Sequence, residues 1–355
     1  MLQGTTLKSE GVKVKNKMEI KERIEKLTQI YGLSADEGNI ANYLKDTLEE
    51  LGIESYIDGF GNVLGKIQKG FEKTILLEAH MDQIGLMVSE VDEDGYVKFV
   101  NLGGVDQRIL CQMEVEILSK PPVYGIITPI SPNIKNGEEK RCAKIEELRI
   151  DTGLENAKSI IKKGMGIVMK NRPVFLENGK VCSAALDNRA GIAAILDSVE
   201  RLAENQKYNI EILFSTQEEL GLHGAYTGVL PNMADAAIAV DVTHGTTPDA
   251  KEETNVFDLG CGGVICRGPN LHYEYTKQLI EMSERENIPY EIEVASGGSG
   301  TTAWAVQVTG EGMPVMLISI PLRYMHTNVE VLDIADVKAV SDMIYMAVTG
   351  GIELD

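Results

Sequence analysis

A histidine and a carboxylate two residues apart close an apolar run, Ile75-Leu-Leu-Glu-Ala-His80-Met81-Asp82. Residues i and i+2 of an extended chain share a face, so the imidazole of His80 could bind a metal while Asp82 reaches its neighbourhood. Alone the triplet is weak, because most such pairs are surface or hydrogen-bonded ones. The chain, however, repeats the arrangement. Val181 to Leu186 leads to Asp187, Ile210 to Thr216 leads to Glu218 and Glu219, Ala236 to Val240 leads to Asp241, and Val315 to Ile320 leads to His326. In open α/β sheets the carboxyl ends of the strands line one crevice, so groups placed there converge although they are far apart in sequence. Two imidazoles and several carboxylates in one crevice make a transition-metal site.

Five ligands can hold two ions if one carboxylate bridges, and a bridge sets the short separation that two-metal hydrolysis uses. The expected arrangement places His80 and Asp241 on one metal, Glu219 and His326 on the other, and Asp187 between them. Histidine with carboxylate oxygen suits Zn(II), with Co(II) or Mn(II) as substitutes. Asp82 would accept the distal N–H of His80 and fix its tautomer, and Glu218 would be free to act as general base on the attacking water. Each piece has a duller reading. Glu218-Glu219 could start a solvated helix, Asp187-Asn-Arg189 could be an ordinary N-cap, and His326 could be a loop histidine. The joint placement of all five at strand ends is what the dull account leaves unexplained.

Other candidates carry less. His244, three residues after Asp241, is placed to line the same pocket, while His223 and His272 read as structural or exposed. Gly297-Gly-Ser-Gly-Thr-Thr302 opens a helix and either offers backbone N–H groups to an anion or is a structural turn; it lacks the P-loop lysine. Cys261 and Cys266 do not have zinc-knuckle spacing.

The elements that must position these groups follow from periodicity. Ile20, Ile24, Leu27 and Ile30 recur at helical spacing up to Gly32, and Ser34-Ala-Asp-Glu37 reads as a capping box before a second helix that Gly52 closes. Strands are expected at Asn62 to Ile67 and Ile75 to Ala79. After Asp82 come short alternating segments, such as Gly95 to Val100 and Met113 to Leu118, separated by Gly, Pro and Asn turns. Alternating helices and strands return with helices at Arg189 to Glu204, Leu271 to Asn287, near Thr302 and at Ile334 to Val348, and strands near 210, 236, 291 and 315. The expected fold is therefore α/β, a mixed, mostly parallel sheet with helices on both faces, built from residues 1–84 and 176–355. Residues 85–175 form an inserted β-barrel.

Composition narrows the function classes. A length of 355 residues with 43% hydrophobic content supports a globular protein, and residues 1–17 read as a loose polar tail. No apolar run has bilayer length and no signal-peptide core opens the chain, which with five scattered cysteines suits a cytoplasmic, reduced protein without a membrane partner. A net charge of −20 argues against nucleic acid as a partner.

At these residues the chain closely resembles the co-catalytic metal aminopeptidases of the glutamyl and tetrahedral aminopeptidase family. The matching segments are His80-Met-Asp82-Gln-Ile-Gly85, Ala185-Leu-Asp187-Asn-Arg189, Thr216-Gln-Glu218-Glu219-Leu-Gly221, Ala239-Val-Asp241-Val-Thr-His244 and Ser319-Ile-Pro-Leu-Arg-Tyr-Met-His326. Similarity runs from about Met18 to the final helix and includes Gly103-Gly-Val-Asp-Gln-Arg108. The resemblance implies a zinc-exopeptidase-like catalytic domain, two metals, removal of N-terminal residues from peptide substrates, and dimerisation through the inserted barrel, with dimers assembling to closed dodecamers. It supports the same roles for Asp82, Glu218 and the five ligands. The chain departs at Ser299-Gly-Thr-Thr302, where many relatives carry an acidic residue after the first Thr, which touches the substrate pocket rather than the metal centre.

Two other functions compete. An endoglucanase-type glycoside hydrolase would use paired carboxylates, but it gives two strand-end histidines no role, and 5% aromatic residues with one tryptophan leave little for a sugar-stacking cleft. A non-catalytic assembly protein retaining the fold would bind metal without turnover, and the intact Glu218 gives no reason to prefer it.

Overall fold

The computed structural model describes residues 17–128, 143–170, 172–202, 205–229, 234–248, 250, 255–298 and 300–355. The expected tail up to residue 16, Cys142, Glu204 and Ser299 lie outside the described residues. In chain order the helices are α1 (Ile20–Thr28), α2 (Gly38–Glu50), α3 (Ala157–Ile160), α4 (Leu186–Glu200), α5 (His223–Val229), α6 (Tyr273–Arg285), α7 (Ala303–Val308) and α8 (Ile334–Met346). The strands are β1 (Glu54–Ile57), β2 (Val63–Ile67), β3 (Thr74–His80), β4 (Gly85–Val91), β5 (Val97–Leu102), β6 (Glu114–Ile117), β7 (Val123–Thr128), β8 (Arg149–Asp151) and β9 (Gly166–Met169). They continue as β10 (Val174–Phe175), β11 (Lys180–Ser183), β12 (Asn209–Ser215), β13 (Ala236–His244), β14 (Gly263–Arg267), β15 (Tyr290–Val294), β16 (Val315–Leu322) and β17 (Glu330–Asp333).

The main sheet has eight strands in the order β1-β2-β12-β3-β13-β16-β14-β15. Its centre, β12, β3, β13 and β16, is parallel, and β1, β2 and the β14–β16 pairing are antiparallel, which makes it the mixed, mostly parallel sheet expected. Both faces are buried, and the period-2 alternation assigns each residue a side. Ile75, Leu77, Ile210, Ile212, Ile238, Val240, Met316 and Ile318 face the core under α1, α2, α4, α6 and α8. Leu76, Leu213, Ala237, Ala239, Val315 and Leu317 face the opposite core under α5 and α7. Those two helices span only seven and six residues, too short to cover the carboxyl ends of the strands. By the same alternation His80, Asp241 and Ser319 lie on that less covered face, and the crevice opens there.

Between β3 and the return to the sheet, strands β4-β5-β8-β7-β6-β9 close into a barrel. Its interior is a separate apolar cluster, with Leu86, Val97, Val115, Ile117, Ile127, Ile150 and Ile167 fully buried. The barrel strands run from Gly85 to Met169, and β10, which falls inside the 85–175 expectation, pairs instead with β11 in a three-stranded sheet completed by β17. Alternation alone cannot reveal which strand a short segment will pair with.

The capping-box expectation is corrected. α2 starts at Gly38, and the Ser34 hydroxyl donates to Asp82 Oδ2 at 2.5 Å instead of to the helix. Glu37 accepts from the backbone N–H groups of Ala35 (2.9 Å) and Gln217 (3.1 Å). Both residues of the apparent box therefore face the crevice, a long-range competition that local spacing does not disclose.

Candidate metal centre

Each candidate ligand is delivered by a local device. His80 is the last residue of β3, and the backbone N–H of Met81 bonds to Ser215 O at the end of β12, so the two strand ends stay in register. Asp187 is released by its neighbour. Asn188 Oδ1 caps the following helix by accepting from Gly191 N at 3.1 Å, and its amide donates to Val240 O at 2.7 Å. Asp187, with φ −78° and ψ 105°, stays outside the helical turn, so its carboxylate is not consumed as the cap. Gln217, left-handed at φ 53°, turns the chain after β12 into the 3₁₀ turn Glu218–Leu220. That turn is tied down by Asp82, whose two oxygens accept from the N–H groups of Glu218 (2.9 Å) and Glu219 (3.2 Å).

The five residues converge in two overlapping groups, His80–Asp187–Asp241 and Asp187–Glu219–His326, within each of which the ligand atoms lie within 4.8 Å of one another. Asp187 belongs to both and gives a different oxygen to each. Its Oδ1 is 3.0 Å from His80 Nε2, and its Oδ2 is 3.5 Å from His326 Nε2. His80 Nε2 is 3.8 Å from Asp241 Oδ1, and His326 Nε2 is 3.3 Å from Glu219 Oε2. On its far side His80 Nδ1 faces Asp82 Oδ1 at 3.3 Å. His326 comes from a loop and is about one-third exposed. Its ring lies against Gly104 of the insert, where a Cβ would sit 2.8 Å from Nδ1. A Cβ at Gly103, which has φ +79°, would sit 3.4 Å from Glu219 Cβ. The insert thus forms one wall of the centre with glycines, because a side chain would displace His326.

Sequence reasoning missed three buried partners of this centre. Glu330 on β17 accepts from the N–H of Asp187 (3.2 Å) and the N–H of His326 (3.0 Å), joining the bridging candidate to the loop histidine. An acidic residue within the otherwise apolar Val329-Glu-Val-Leu332 was the available signal. Glu78, two residues before His80 on the same face of β3, is fully buried and accepts from Ser215 Oγ at 2.7 Å and from the Thr302 hydroxyl. Arg189 is fully buried behind the crevice, with one nitrogen donating to Leu27 O at 3.0 Å and Ile30 O at 3.3 Å. The glycine-rich turn lines the pocket through Gly298, Gly300 and Thr301, and its Thr302 hydroxyl is directed to Glu78, which makes it a structural wall. His244 lines the same pocket, His223 is exposed, and His272 caps α6 by accepting from Tyr275 N.

Burial and like charge dominate the electrostatics of these groups. Burial pushes Glu218 up to about 8, with Glu219, Asp187 and Asp82 adding repulsion that His80 partly offsets. Burial and Asp187 push Glu219 up to about 8 as well. Asp241 and Glu330 are raised well above the usual carboxylate range, again by burial first. Burial opposes a charged His80, yet hydrogen bonds from its ring to Asp187 and Asp82 lift it well above the ordinary imidazole value. Asp187 lifts His326 to about 9. Asp187 itself is lowered, because His326 and His80 together outweigh its burial. Crowded carboxylates raised by burial and mutual repulsion, with imidazole nitrogens between them, match the donor chemistry of borderline divalent ions. His80, Asp187 and Asp241 fit one such ion and Asp187, Glu219 and His326 a second.

Comparison with known proteins adds a family. Residues 61–343 match the model of the M42 glutamyl aminopeptidase family. A lysyl aminopeptidase of Pyrococcus furiosus is 31% identical over 324 residues, covering 89% of this chain and 93% of that protein. The structure of an aminopeptidase from the archaeon Desulfurococcus kamchatkensis superposes with a TM-score of 0.86 at 29% identity, over 93% of this chain and 94% of that one. The Pyrococcus horikoshii TET1 peptidase, described as able to assemble into a tetrahedron or a large octahedral shell, gives 0.83 at 26% identity over 93% and 99%.

Proposed function

The chain belongs to the M42 glutamyl aminopeptidase family and is an aminopeptidase, and from that premise we propose that it removes N-terminal residues from peptides with a dinuclear metal centre. His80 and Asp241 would hold one ion and Glu219 and His326 the other, with Asp187 common to both ligand sets; Zn is the expected metal, with Co or Mn as substitutes. The observation that carries this reading is Asp187, whose two oxygens approach two different histidines, each with its own further carboxylate.

Two bound divalent ions would supply Lewis acidity toward the scissile carbonyl and the attacking water. The chain's own residues do the rest. Glu218, which lines the pocket beside the ligand cluster, takes the proton of the attacking water and returns it to the leaving amine. Asp82 faces the far nitrogen of His80 and accepts from the turn that carries both glutamates, so one carboxylate orients a ligand and the acid/base group together. Ser34 holds Asp82, and Glu330 holds the backbone of Asp187 and His326.

The barrel from Gly85 to Met169 would form a dimerisation domain inserted into the catalytic domain, to which Val174–Phe175 belongs through its pairing with β11. The barrel exposes Val100, Tyr124 and Ile126 at 48%, 43% and 44%, apolar surface suited to another copy of the chain. Self-association into dimers and larger closed shells is supported by the assemblies described for the P. horikoshii relative. Among the described residues no helix is long and apolar enough to cross a membrane.

The test is metal analysis alongside peptide and aminoacyl-anilide hydrolysis, before and after chelation and with Zn, Co or Mn restored. Two ions per chain with metal-dependent release of the first residue are expected. Full activity in metal-free protein would remove the metal centre from the proposal.

A further inference from the structure

The pocket that contains the ligand cluster continues past it. Its cavity of about 690 Å³ is lined by His80, Asp187, Glu218, Glu219, Asp241 and His326 on one side and by Thr243, His244, Cys266, Glu293 and Ala295 on the other. Asp241 and Thr243 share a face of β13, so their positions differ by roughly 7 Å, two residues of strand rise. Thr243 Oγ1 then lies 3.3 Å from Glu293 Oε1, on the edge strand β15. A carboxylate thus stands one side-chain length beyond the candidate metal ligands. Trp304 and Leu317 contribute apolar wall to the same cavity.

Resting on the aminopeptidase reading of this site, we propose that Glu293 selects peptides whose first residue is basic, lysine or arginine. The lysine stem carries its ammonium about as far as two strand residues reach, roughly 7 Å, and can lie along the apolar wall while its charge meets Glu293. Among the described residues no lysine or arginine lines the cavity, so an acidic first residue would face carboxylates without a counter-charge. With two divalent ions bound, the four negative charges of Asp187, Asp241, Glu218 and Glu219 would be matched, leaving Glu293 as the unbalanced anion among the described residues that line the cavity. Among the described residues its hydrogen bond is from Thr243, and His244 is the basic group that faces it, at a distance that forms no ion pair. Burial raises the Glu293 carboxyl above its ordinary value, as expected of an anion that lacks a close cation. An uncharged aliphatic residue would dehydrate this carboxylate without replacing its hydrogen bonds.

The experiment compares Lys, Arg, norleucine and Glu anilides on metal-loaded full-length enzyme, in wild type and in Glu293→Gln. Norleucine has nearly the shape of lysine without the charge. The proposal expects kcat/KM for Lys to exceed that for norleucine by roughly ten- to a hundred-fold, mainly through KM, and the ratio to collapse towards one in Glu293→Gln. Charge reversal in Glu293→Lys should move the preference to Glu. A Lys-to-norleucine ratio unaltered by Glu293→Gln, or a wild type that prefers Glu or norleucine, would overturn it. Calorimetric binding of lysinamide against norleucinamide gives a readout independent of turnover. If no anilide is cleaved, the aminopeptidase reading fails, and the two amides still decide the role of Glu293: tighter lysinamide binding lost in Glu293→Gln supports it, and equal binding rejects it.

Discussion

In the barrel, charge stays outside. Glu90 meets Lys98 at 2.9 Å, Glu93 meets Lys158 at 2.6 Å and Asp92 approaches Arg149 at 3.8 Å, while Val97, Val115, Ile127 and Ile150 fill the interior. In the crevice of the main sheet, Asp187, Asp241 and Glu330 are buried and Glu218 and Glu219 nearly so, with imidazoles among them and, among the described residues, no lysine or arginine lining the cavity. Apolar burial is what stabilises the first region, and exposed ion pairs add little to it. In the second, burial raises four of those carboxylates, an arrangement that disfavours folding on its own. Such a cost points to function, since electrostatic expense of this kind concentrates where chemistry is done. The two regions meet at Gly103 and Gly104, where the barrel supplies a wall for His326.

The largest effect is expected from Asp187→Ala, which removes the one carboxylate shared by both ligand groups. Metal content should fall below one ion per chain and activity should vanish, while the barrel remains folded. Elemental analysis of the purified variant checks it, and two tightly held ions would deny the bridge.

Glu218→Gln should retain both ions and the fold but reduce kcat by roughly 10²–10⁴, the usual worth of a positioned acid/base. Steady-state kinetics with metal analysis decides: near-normal turnover in the loaded variant takes Glu218 out of the mechanism, and loss of metal means the two glutamates have exchanged roles.

A test of the barrel's independence is Ile150→Ala. Deleting a fully buried aliphatic side chain should cost about 2–5 kcal/mol of stability, with metal stoichiometry unchanged. Denaturant unfolding would measure it; a parallel loss of metal would show that the glycine wall couples the regions more tightly than the separate cores suggest.

The smallest and most diagnostic effect concerns pH in metal-stripped protein. Glu218 and Glu219, at about 8 against an ordinary 4.5, hold protons in the folded chain that the unfolded chain releases, so their contribution is lost as pH rises towards 8. His326, at about 9 against 6.5, has the same sign, its contribution being complete below 6.5 and lost through 9. Asp187 is lowered and acts oppositely, but only in acid. The Tm of stripped protein should therefore fall from pH 6 to 9, and added metal should raise Tm most at the alkaline end, where the ligands are deprotonated. Calorimetry at pH 6, 7.5 and 9 checks it, and a rising Tm without metal would contradict the buried-carboxylate account.

How much was legible beforehand varies with the range of the interaction. Strand-end positions could be read for His80, Asp187, Glu219 and Asp241 because an apolar run ending in a polar residue is a local signal. Glu330 was not legible: its backbone partners Asp187 and His326 come together only through the three-stranded sheet that places β17 beside β11. Ser34 and Glu37 carried a misleading local signal, since a capping box and a pair of crevice-facing side chains have the same spacing. Val174–Phe175 was misplaced for the same reason, as a two-residue strand has too little pattern to name its partner.

By itself the sequence determined the alternating helices and strands, the β-rich insert and the residue types able to bind divalent ions, because periodicity and donor chemistry are properties of short segments. Only the tertiary structure decided that Asp187 turns one oxygen to each histidine while Asn188 takes the helix cap, that glycines of the barrel wall in His326, and that Glu293 stands beside Thr243 at the pocket's far side. Those relations depend on strand order, on sheet twist and on which face each side chain takes once distant segments pair. Apart from the cap itself, whose partners Asn188 and Gly191 are three positions apart, no local spacing encodes them, because they are fixed by contacts between residues 50 to more than 200 positions apart.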